Sequence, residues 1–179
     1  MKDNILTLLE NHFSKSSQAD EMWDFREDVP AAMKDGASEA GDPFVKWKPI
    51  PSQVTEENIQ QLEKLMKHPL PVSYKTLLQY QHFVEMTVGE EEVSFFRNLP
   101  NNWLNELRET IVDYDEFGGL LDRHLLPIAD FGEDGVVCFD ANAPAPDFEY
   151  PLVRLDFGDE FKKVHPLATG LFSFLKDRA

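Results

Sequence analysis

The sequence predicts a single α+β domain, with helices packed on an antiparallel or mixed sheet. The chain has 179 residues, which fits one domain at about 150 residues per domain. Its hydrophobic fraction is 42% and includes 14 Phe, enough to form a core. Helical periodicity dominates the first half, whereas strand patterns interrupted by one helix fill the second half before a closing helix. That order is typical of α+β architecture.

The N-terminal segment has helical signals followed by a loop signal. Residues 4–13 place Ile5, Leu8 and Leu9 on one side of a predicted helix. A weaker helical signal covers residues 21–27, around Trp23 and Phe25. Residues 35–43 are small and polar and have no periodicity, so they predict a flexible loop.

A helical hairpin is predicted next, around a proline turn. Thr55 can cap the first helix through its side-chain oxygen, because the first backbone N–H groups of a helix have no internal partner. Pro69 ends this helix, and Pro71 presets the backbone for the next one. Each helix has one apolar face to bury, formed by Ile59, Leu62, Leu65 and Met66 in the first and by Tyr74, Leu77 and Leu78 in the second.

The second half of the chain alternates strand and helix signals. A hairpin is predicted from residues 84–88 and 93–96, and a helix is predicted to open at Pro100 and to end at Gly118-Gly119. Pro127 favours an edge position or a strand start. The remaining predicted elements are a strand pair at 125–129 and 136–139, a last strand at 152–155, and a terminal helix at about 167–176.

Several short motifs occur in a fixed order along this part of the chain. They are Trp47–Pro51, Leu70–Leu78, Leu126–Ala129, Gly135–Asp140 and Tyr150–Val153. In order and spacing they resemble the SUKH superfamily, the Smi/Knr-type domains. The ending differs in part, because Gly170-Leu171 stands where members often have Ser-Phe, while Phe174-Leu175 keeps the following Phe-Leu pair.

The resemblance implies an α+β fold and a role in binding rather than catalysis. Most SUKH members are bacterial immunity proteins that bind and silence a partner toxin without a cofactor. Fungal Smi/Knr-type members are instead regulatory or scaffold proteins in cell-wall and signalling pathways, which is the alternative. Since the resemblance begins at Trp47, we predict an N-terminal extension at residues 1–46 and a SUKH-like domain at 47–179. Deleting the extension should then leave a folded domain.

The charge balance favours a basic protein partner and disfavours nucleic acid. The chain has 33 acidic and 17 basic residues, for a net charge of −16, whereas phosphate binding needs a basic surface. A negative field speeds encounter with a basic partner, and in this family the partner would be a cognate toxin, for example a basic nuclease. Solubility alone is the alternative explanation of the charge.

Two acidic runs are the candidate partner-binding residues. Three like charges at a β-turn repel one another and add nothing to folding, so such a run is either a solvated loop or a surface for a basic partner. A second acidic loop lies between two predicted strands. Phe117, Phe148 and Tyr150 could anchor such an interface or belong to the core. The candidate residues are Glu90, Glu91, Glu92, Asp130, Glu133 and Asp134.

No pattern in the sequence indicates catalysis, a cofactor or a metal site. The histidines and the lone Cys138 have no metal-ligand spacing, and there is no nucleophile elbow or Gly-rich phosphate loop. An enzyme remains an alternative that rests only on unassigned carboxylates. The triplet Asp-Phe-Gly occurs at 130–132 and at 156–158, and each is predicted to end a strand with its Phe in the core.

The sequence also favours a cytoplasmic location. Cys138 cannot form an internal disulfide and lies in an apolar strand pattern. The N-terminus lacks a secretory signal, and no run of about 18 apolar residues could span a membrane. We therefore expect neither export nor membrane insertion.

Overall fold

The structure, a computed structural model, describes residues 2–19, 22–36, 41–89, 93–143 and 149–178. Within these ranges the chain forms five α-helices: α1 (Lys2–Gln18), α2 (Glu56–Met66), α3 (Val72–Tyr80), α4 (Trp103–Gly118) and α5 (Leu171–Arg178). The strands are β1 (Trp23–Phe25), β2 (Phe44–Lys46), β3 (Ile50–Pro51), β4 (Gln81–His82), β5 (Thr87–Val88), β6 (Val93–Phe95), β7 (Leu125–Phe131), β8 (Gly135–Asp140), β9 (Leu152–Asp156) and β10 (His165–Ala168).

The main sheet is a six-stranded antiparallel meander. Its strands follow chain order, from β5 at one edge to β10 at the other, and α4 is inserted between β6 and β7. Two smaller antiparallel ribbons, β1–β2 and β3–β4, lie outside this sheet. Helices packed on an antiparallel sheet confirm the predicted α+β class.

Helices cover both faces of the main sheet. Successive residues of a strand point to opposite faces of the sheet, so the surroundings of Ser94 and Phe95 in β6 show which helix covers each face. Phe95 contacts Phe174 of α5, with ring centroids 6.5 Å apart. Asp130, the strand partner of Ser94, accepts a hydrogen bond from Tyr114 of α4. The strands between these layers are therefore buried on both sides, which explains their continuous apolar runs.

The N-terminal helix α1 packs into the same core as the rest of the chain. Ile5 and Leu9 are fully buried, and the ring of Phe13 lies 5.9 Å from that of Phe83. The helix packs against α3 and α5. The predicted domain boundary at residues 46/47 stays a prediction. Because α1 is buried in the common core, we expect its deletion to destabilise the rest of the chain.

The predicted helical hairpin is confirmed. Thr55 caps α2 by accepting a hydrogen bond from the backbone N–H of Asn58, whose side chain accepts one in return from the Thr55 N–H. The second helix, α3, begins at Val72, one residue after Pro71, rather than at Pro71 itself. Both apolar faces are buried as predicted, except that Leu65 is only partly covered.

A buried polar network fixes the chain just after β6. The Nε2 atom of His82 accepts from the Gln53 N–H at 2.9 Å, and Nδ1 lies 3.0 Å from Asn98 Oδ1. The Asn98 amide donates to the carbonyls of Leu78 and Gln81, at 3.0 and 2.9 Å. Because every polar atom of Asn98 has a partner, the segment before it is held in a single position.

The prediction of a helix at residues 21–27 is wrong. Trp23–Phe25 forms strand β1, which pairs antiparallel with β2. The alternation of Trp23, Asp24 and Phe25 has the period of a strand, and pairing with Phe44–Lys46 decides in its favour. That partner is distant in sequence, so local propensity did not indicate it.

Three boundaries in the second half also differ from prediction. Helix α4 begins at Trp103 rather than at Pro100, because Asn101 has φ 72 and cannot continue a right-handed helix. Strand β9 is followed by a further strand, β10, so residues 152–155 are not the last strand. Strand β10 was not predicted because it contains Pro166. A strand at the edge of a sheet tolerates proline, and β10 is an edge strand. Helix α5 consequently begins at Leu171.

Pro127 lies in a strand interior to the sheet, at a position that pairs with Cys138 of β8 but has no partner in β6. Strand β7 is flanked by β6 and β8. However, β6 pairs only with residues 129–131 of β7, and the ladder to β8 is irregular between Pro127 and Ala129. Proline is accommodated because no strand on the β6 side needs its missing N–H.

Two predicted loops lie partly outside the described residues. Of the predicted flexible loop at 35–43, residues 37–40 are not described, and the remainder forms no helix or strand. Its flexibility stays a prediction. Residues 144–148 of the connection before β9 are likewise not described. Among the described helices, none combines the length and apolarity needed to cross a membrane.

Two histidines are expected to make the stability of the fold depend on pH. Burial lowers the pKa of His12, helped by Lys15, and burial together with His124 lowers the pKa of His68 below the ordinary value of 6.5. The unfolded chain therefore binds protons more readily at these positions. Their contribution is complete above about pH 6.5 and is lost as the pH falls toward the folded-state pKa.

Denaturant unfolding at about pH 7.5 and about pH 5.5 measures this dependence. The free energy of unfolding of the wild type should fall further over this interval than that of the variant His12→Gln/His68→Gln. An identical fall in both proteins would contradict the assignment to these two side chains.

Candidate functional site

Asp130, a predicted partner-binding residue, lies on the face of the sheet that α4 covers. It pairs with Ser94 of β6 and Val136 of β8, and the Tyr114 hydroxyl donates a hydrogen bond to its Oδ1. Burial raises the pKa of Asp130, and the hydrogen bond from Tyr114 acts in the opposite direction. Burial and Asp130 together raise the pKa of Tyr114, which keeps the hydroxyl protonated as the donor. Asp130 is thus held in place by α4.

Glu133 and Asp134 are exposed in the turn between β7 and β8. The Asp134 carbonyl accepts a hydrogen bond of 2.8 Å from the Phe157 N–H, so this turn adjoins the segment after β9. Neither residue lines the cleft that contains Asp130. The other predicted residues, Glu90, Glu91 and Glu92, lie outside the described residues.

An open acidic cleft lies between α4, the β5–β6 end of the sheet and β1. Its volume is about 610 Å³. Six carboxylates line it, whereas Arg97 is its single basic side chain among the described residues. We call this site the acidic cleft and define it by its carboxylates, Asp24, Glu85, Glu106, Glu109, Asp113 and Asp130.

Helix α4 supplies half of these carboxylates from one face. Glu106, Glu109 and Asp113 follow one another at spacings of three and four, which places them in one row along the helix. Like charges at such spacings repel by about 0.2–0.5 kcal/mol per pair. The helix therefore gains no stability from this spacing, whereas its apolar residues Trp103, Leu107 and Ile111 are buried.

Arg97 offsets one of the six negative charges of the cleft, because its nearest partner is Asp24, itself a cleft carboxylate. Its Nη2 lies 3.0 Å from Asp24 Oδ2, and its Nη1 lies 3.9 Å from Asp28 Oδ2. Arg97 immediately precedes Asn98, whose network holds this segment, and the Phe96 N–H donates to the Ile128 carbonyl at 3.1 Å. The acidic cleft is thus a preformed, negatively charged site with fixed walls.

Two exposed phenylalanines adjoin the acidic cleft. Phe117 is 58% exposed and Phe157 is 40% exposed, and their ring centroids lie 5.8 Å apart in edge-to-face contact. We call them the aromatic pair. Phe157 also stacks on Tyr114 at 6.2 Å, and Tyr114 binds Asp130 of the cleft. The aromatic pair and the acidic cleft therefore form one continuous surface along α4.

The aromatic pair rests on a buried ring held by unusual backbone. Phe161 is fully buried and contacts Phe117 and Phe157 at centroid distances of 5.0 and 5.1 Å. Glu160 and Phe161 have φ 57 and 59, in the left-handed region that side chains rarely adopt. A Cβ at Gly118 would lie 2.5 Å from the Phe161 ring. Strain of this kind often marks functional surfaces.

Sequence reasoning placed some of these aromatic residues correctly and others wrongly. Phe131 is buried as predicted, but Phe157 of the second Asp-Phe-Gly triplet is exposed, so its predicted core position is wrong. Tyr150 belongs to the core, Phe117 does not, and Phe148 lies outside the described residues. The acidic row of α4 was missed as a site, although its regular spacing in the sequence was a usable signal.

The described residues contain no constellation with an evident reactive group. Cys138 is fully buried, and burial raises the pKa of its thiol, so it stays a protonated core side chain. Among the described residues, no three His, Cys, Asp or Glu side chains come together to hold a metal ion. The physical feature that remains is the charge and shape of the acidic cleft.

The order of the elements defines the class of protein. A helical hairpin precedes an antiparallel sheet, one helix interrupts this sheet, and another helix follows it. The protein is thus an α+β domain with an acidic cleft at one end of the sheet. The SMI1 / KNR4 family (SUKH-1) matches residues 53–177, well over half of the chain. The chain therefore belongs to this family, whose members are generally non-catalytic. No curated protein sequence matches the chain. Helix α1 and the β1–β2 ribbon precede the matched residues.

Proposed function

We propose that this protein is an immunity protein: it binds a cognate toxin domain with a basic surface and neutralises it by contact. The observation that supports this most is the acidic cleft, where six carboxylates face a single guanidinium, which pairs with one of them, Asp24. Membership of the SMI1/KNR4 family supports a binding role. No turnover and no cofactor are needed for such a function.

The charge of the whole chain supports the same partner. A net charge of −16 attracts a basic protein over distances of about the Debye length, roughly 10 Å at moderate salt. The acidic cleft then offers carboxylates in the position where a nuclease would hold the phosphates of its substrate. Filling a basic groove with carboxylates excludes the substrate, which is how contact alone would neutralise such a toxin.

Affinity isolation of the partner from the native host tests this proposal. Tagged wild-type protein should capture one basic, toxin-like protein, identified by mass spectrometry, and should retain it better at low salt than at high salt. The cleft variant, Glu85→Gln/Glu106→Gln/Glu109→Gln, should capture much less of it. Each change removes a charge while keeping the size and polarity of the side chain.

A matched control separates the acidic cleft from the overall charge. Glu10→Gln/Glu57→Gln/Asp177→Asn removes three charges from exposed positions on α1, α2 and α5, outside the cleft. We expect this control to behave as the wild type does. Equal capture by both triple variants would contradict the role of the cleft, and capture of several abundant host proteins would favour the regulatory or scaffold alternative.

A further inference from the structure

We infer that the aromatic pair is a docking point for an arginine side chain of the basic partner. This inference rests on the proposed function, because it names the side chain through which that partner would bind beside the acidic cleft. Phe117 and Phe157 would contact the guanidinium, and carboxylates of α4 would pair with its N–H groups.

The rings are positioned for a ligand rather than for the core. Both are exposed, yet each contacts the buried Phe161, and Phe157 also stacks on Tyr114. Their conformational freedom is therefore already restricted, so binding would cost little further ordering. Exposed aromatic side chains on a rigid base are the usual anchors of protein interfaces.

The charges beside the rings call for a cation. Asp113 lies four residues before Phe117 on α4, hence on the same helix face, and Glu116 lies three residues beyond Asp113. Both side chains are exposed, and neither has an ion-pair partner within the described residues. Two cationic side chains near Phe161 already have partners: Lys162 is paired with Glu160 at 2.6 Å, and the Arg123 guanidinium donates to the Phe161 carbonyl at 2.8 Å. A cationic side chain complements this surface, and an acidic one would be repelled.

Arginine fits this site better than lysine. A guanidinium is planar and weakly hydrated, so it can stack on a ring and still donate several hydrogen bonds to carboxylates. A lysine ammonium is compact and strongly hydrated, and it gains mainly the charge interaction. A difference in affinity between arginine and lysine ligands therefore measures the contribution of the rings, and not that of the acidic charge alone.

Two blocked peptides of equal charge, tetra-arginine and tetra-lysine, test the inference on the full chain. Fluorescence anisotropy of labelled peptides at low salt gives the two dissociation constants. Wild-type protein should bind tetra-arginine about threefold or more tightly than tetra-lysine. The variant Phe117→Leu/Phe157→Leu keeps apolar bulk but removes the rings, so it should bind both peptides with similar affinity.

The control Phe25→Leu/Phe44→Leu removes two exposed rings from the β1–β2 ribbon and should keep the preference for arginine. Thermal unfolding checks that both variants remain folded. Equal wild-type affinity for the two peptides, or a preference that survives loss of Phe117 and Phe157, would overturn the inference. The cleft variant keeps Asp113, Phe117 and Phe157. Undiminished partner capture by that variant, which would contradict the proposed function, and absence of the arginine preference, which would contradict this inference, are therefore separate results.

Discussion

Removal of residues 1–46 is expected to abolish cooperative unfolding of the remaining chain. Helix α1 covers α3 and α5, and Ile5, Leu9 and Phe13 are buried in the common core. Uncovering this surface exposes several large side chains at about 1.5–3 kcal/mol each, against a total stability of about 5–15 kcal/mol. Urea unfolding followed by circular dichroism measures the result. A cooperative transition near the wild-type midpoint would instead support the boundary that the family resemblance implies.

A point substitution tests the same contact within the intact chain. Leu9→Ala should lower the free energy of unfolding by about 2–5 kcal/mol, because Leu9 is fully buried. Leu6→Ala is the matched control in the same helix. Leu6 is partly exposed and lies outside the core cluster of the described chain, so its loss should cost about 1 kcal/mol or less. Equal effects of the two substitutions would contradict the packing of α1.

Gly135→Ala is expected to destabilise the fold by about 3 kcal/mol or more. Gly135 begins β8 opposite Asp156 of β9, and a Cβ there would lie 2.0 Å from the Leu155 carbonyl oxygen. The clash is with backbone, so it cannot be relieved by turning a side chain. Strand β9 would have to move away from β8 and lose its pairing. Chemical denaturation measures the free energy of unfolding.

Gly158→Ala is the matched control for this substitution. No heavy atom lies within 4 Å of a Cβ built at Gly158, and its backbone does not require glycine. Its effect should stay within about 1 kcal/mol. If Gly135→Ala were as mild as Gly158→Ala, the close approach of β8 and β9 would be wrong.

The parts of the fold that sequence reasoning predicted are those with strong local signals. Thr55 caps α2, and Gly119 has φ 57 at the end of α4, where glycine was expected. Residues 125–129 and 136–139 were recognised as strands because both faces are buried and the apolar runs are continuous. These signals lie within the elements themselves, so they can be read without knowledge of tertiary contacts.

The missed elements depend on partners that are distant in sequence. Strand β1 has three residues and exists because it pairs with β2, about twenty residues later. Strand β10 contains Pro166 and was hidden by it. The acidic cleft is similar, because the spacing on α4 is visible in the sequence, whereas the positions of Asp24 and Glu85 beside it depend on tertiary packing.

The exposed ring of Phe157 also depends on the tertiary structure. An apolar residue just after a buried strand is expected to fill the core, but Phe161 takes that place and is fully buried. The left-handed backbone at Glu160 and Phe161 turns the chain so that the second ring enters the core. The local sequence does not show which of these two phenylalanines, four residues apart, is buried. The backbone turn at Glu160 and Phe161 decides it.

The most direct test of the account is the affinity of the captured partner for purified wild-type protein, the cleft variant and its matched control, measured over a range of salt. The account predicts that the cleft variant binds about tenfold or more weakly than the wild type and depends less on salt, while the control stays within about twofold. Wild-type affinity in the cleft variant, or an equal loss in both variants, would contradict recognition through the acidic cleft.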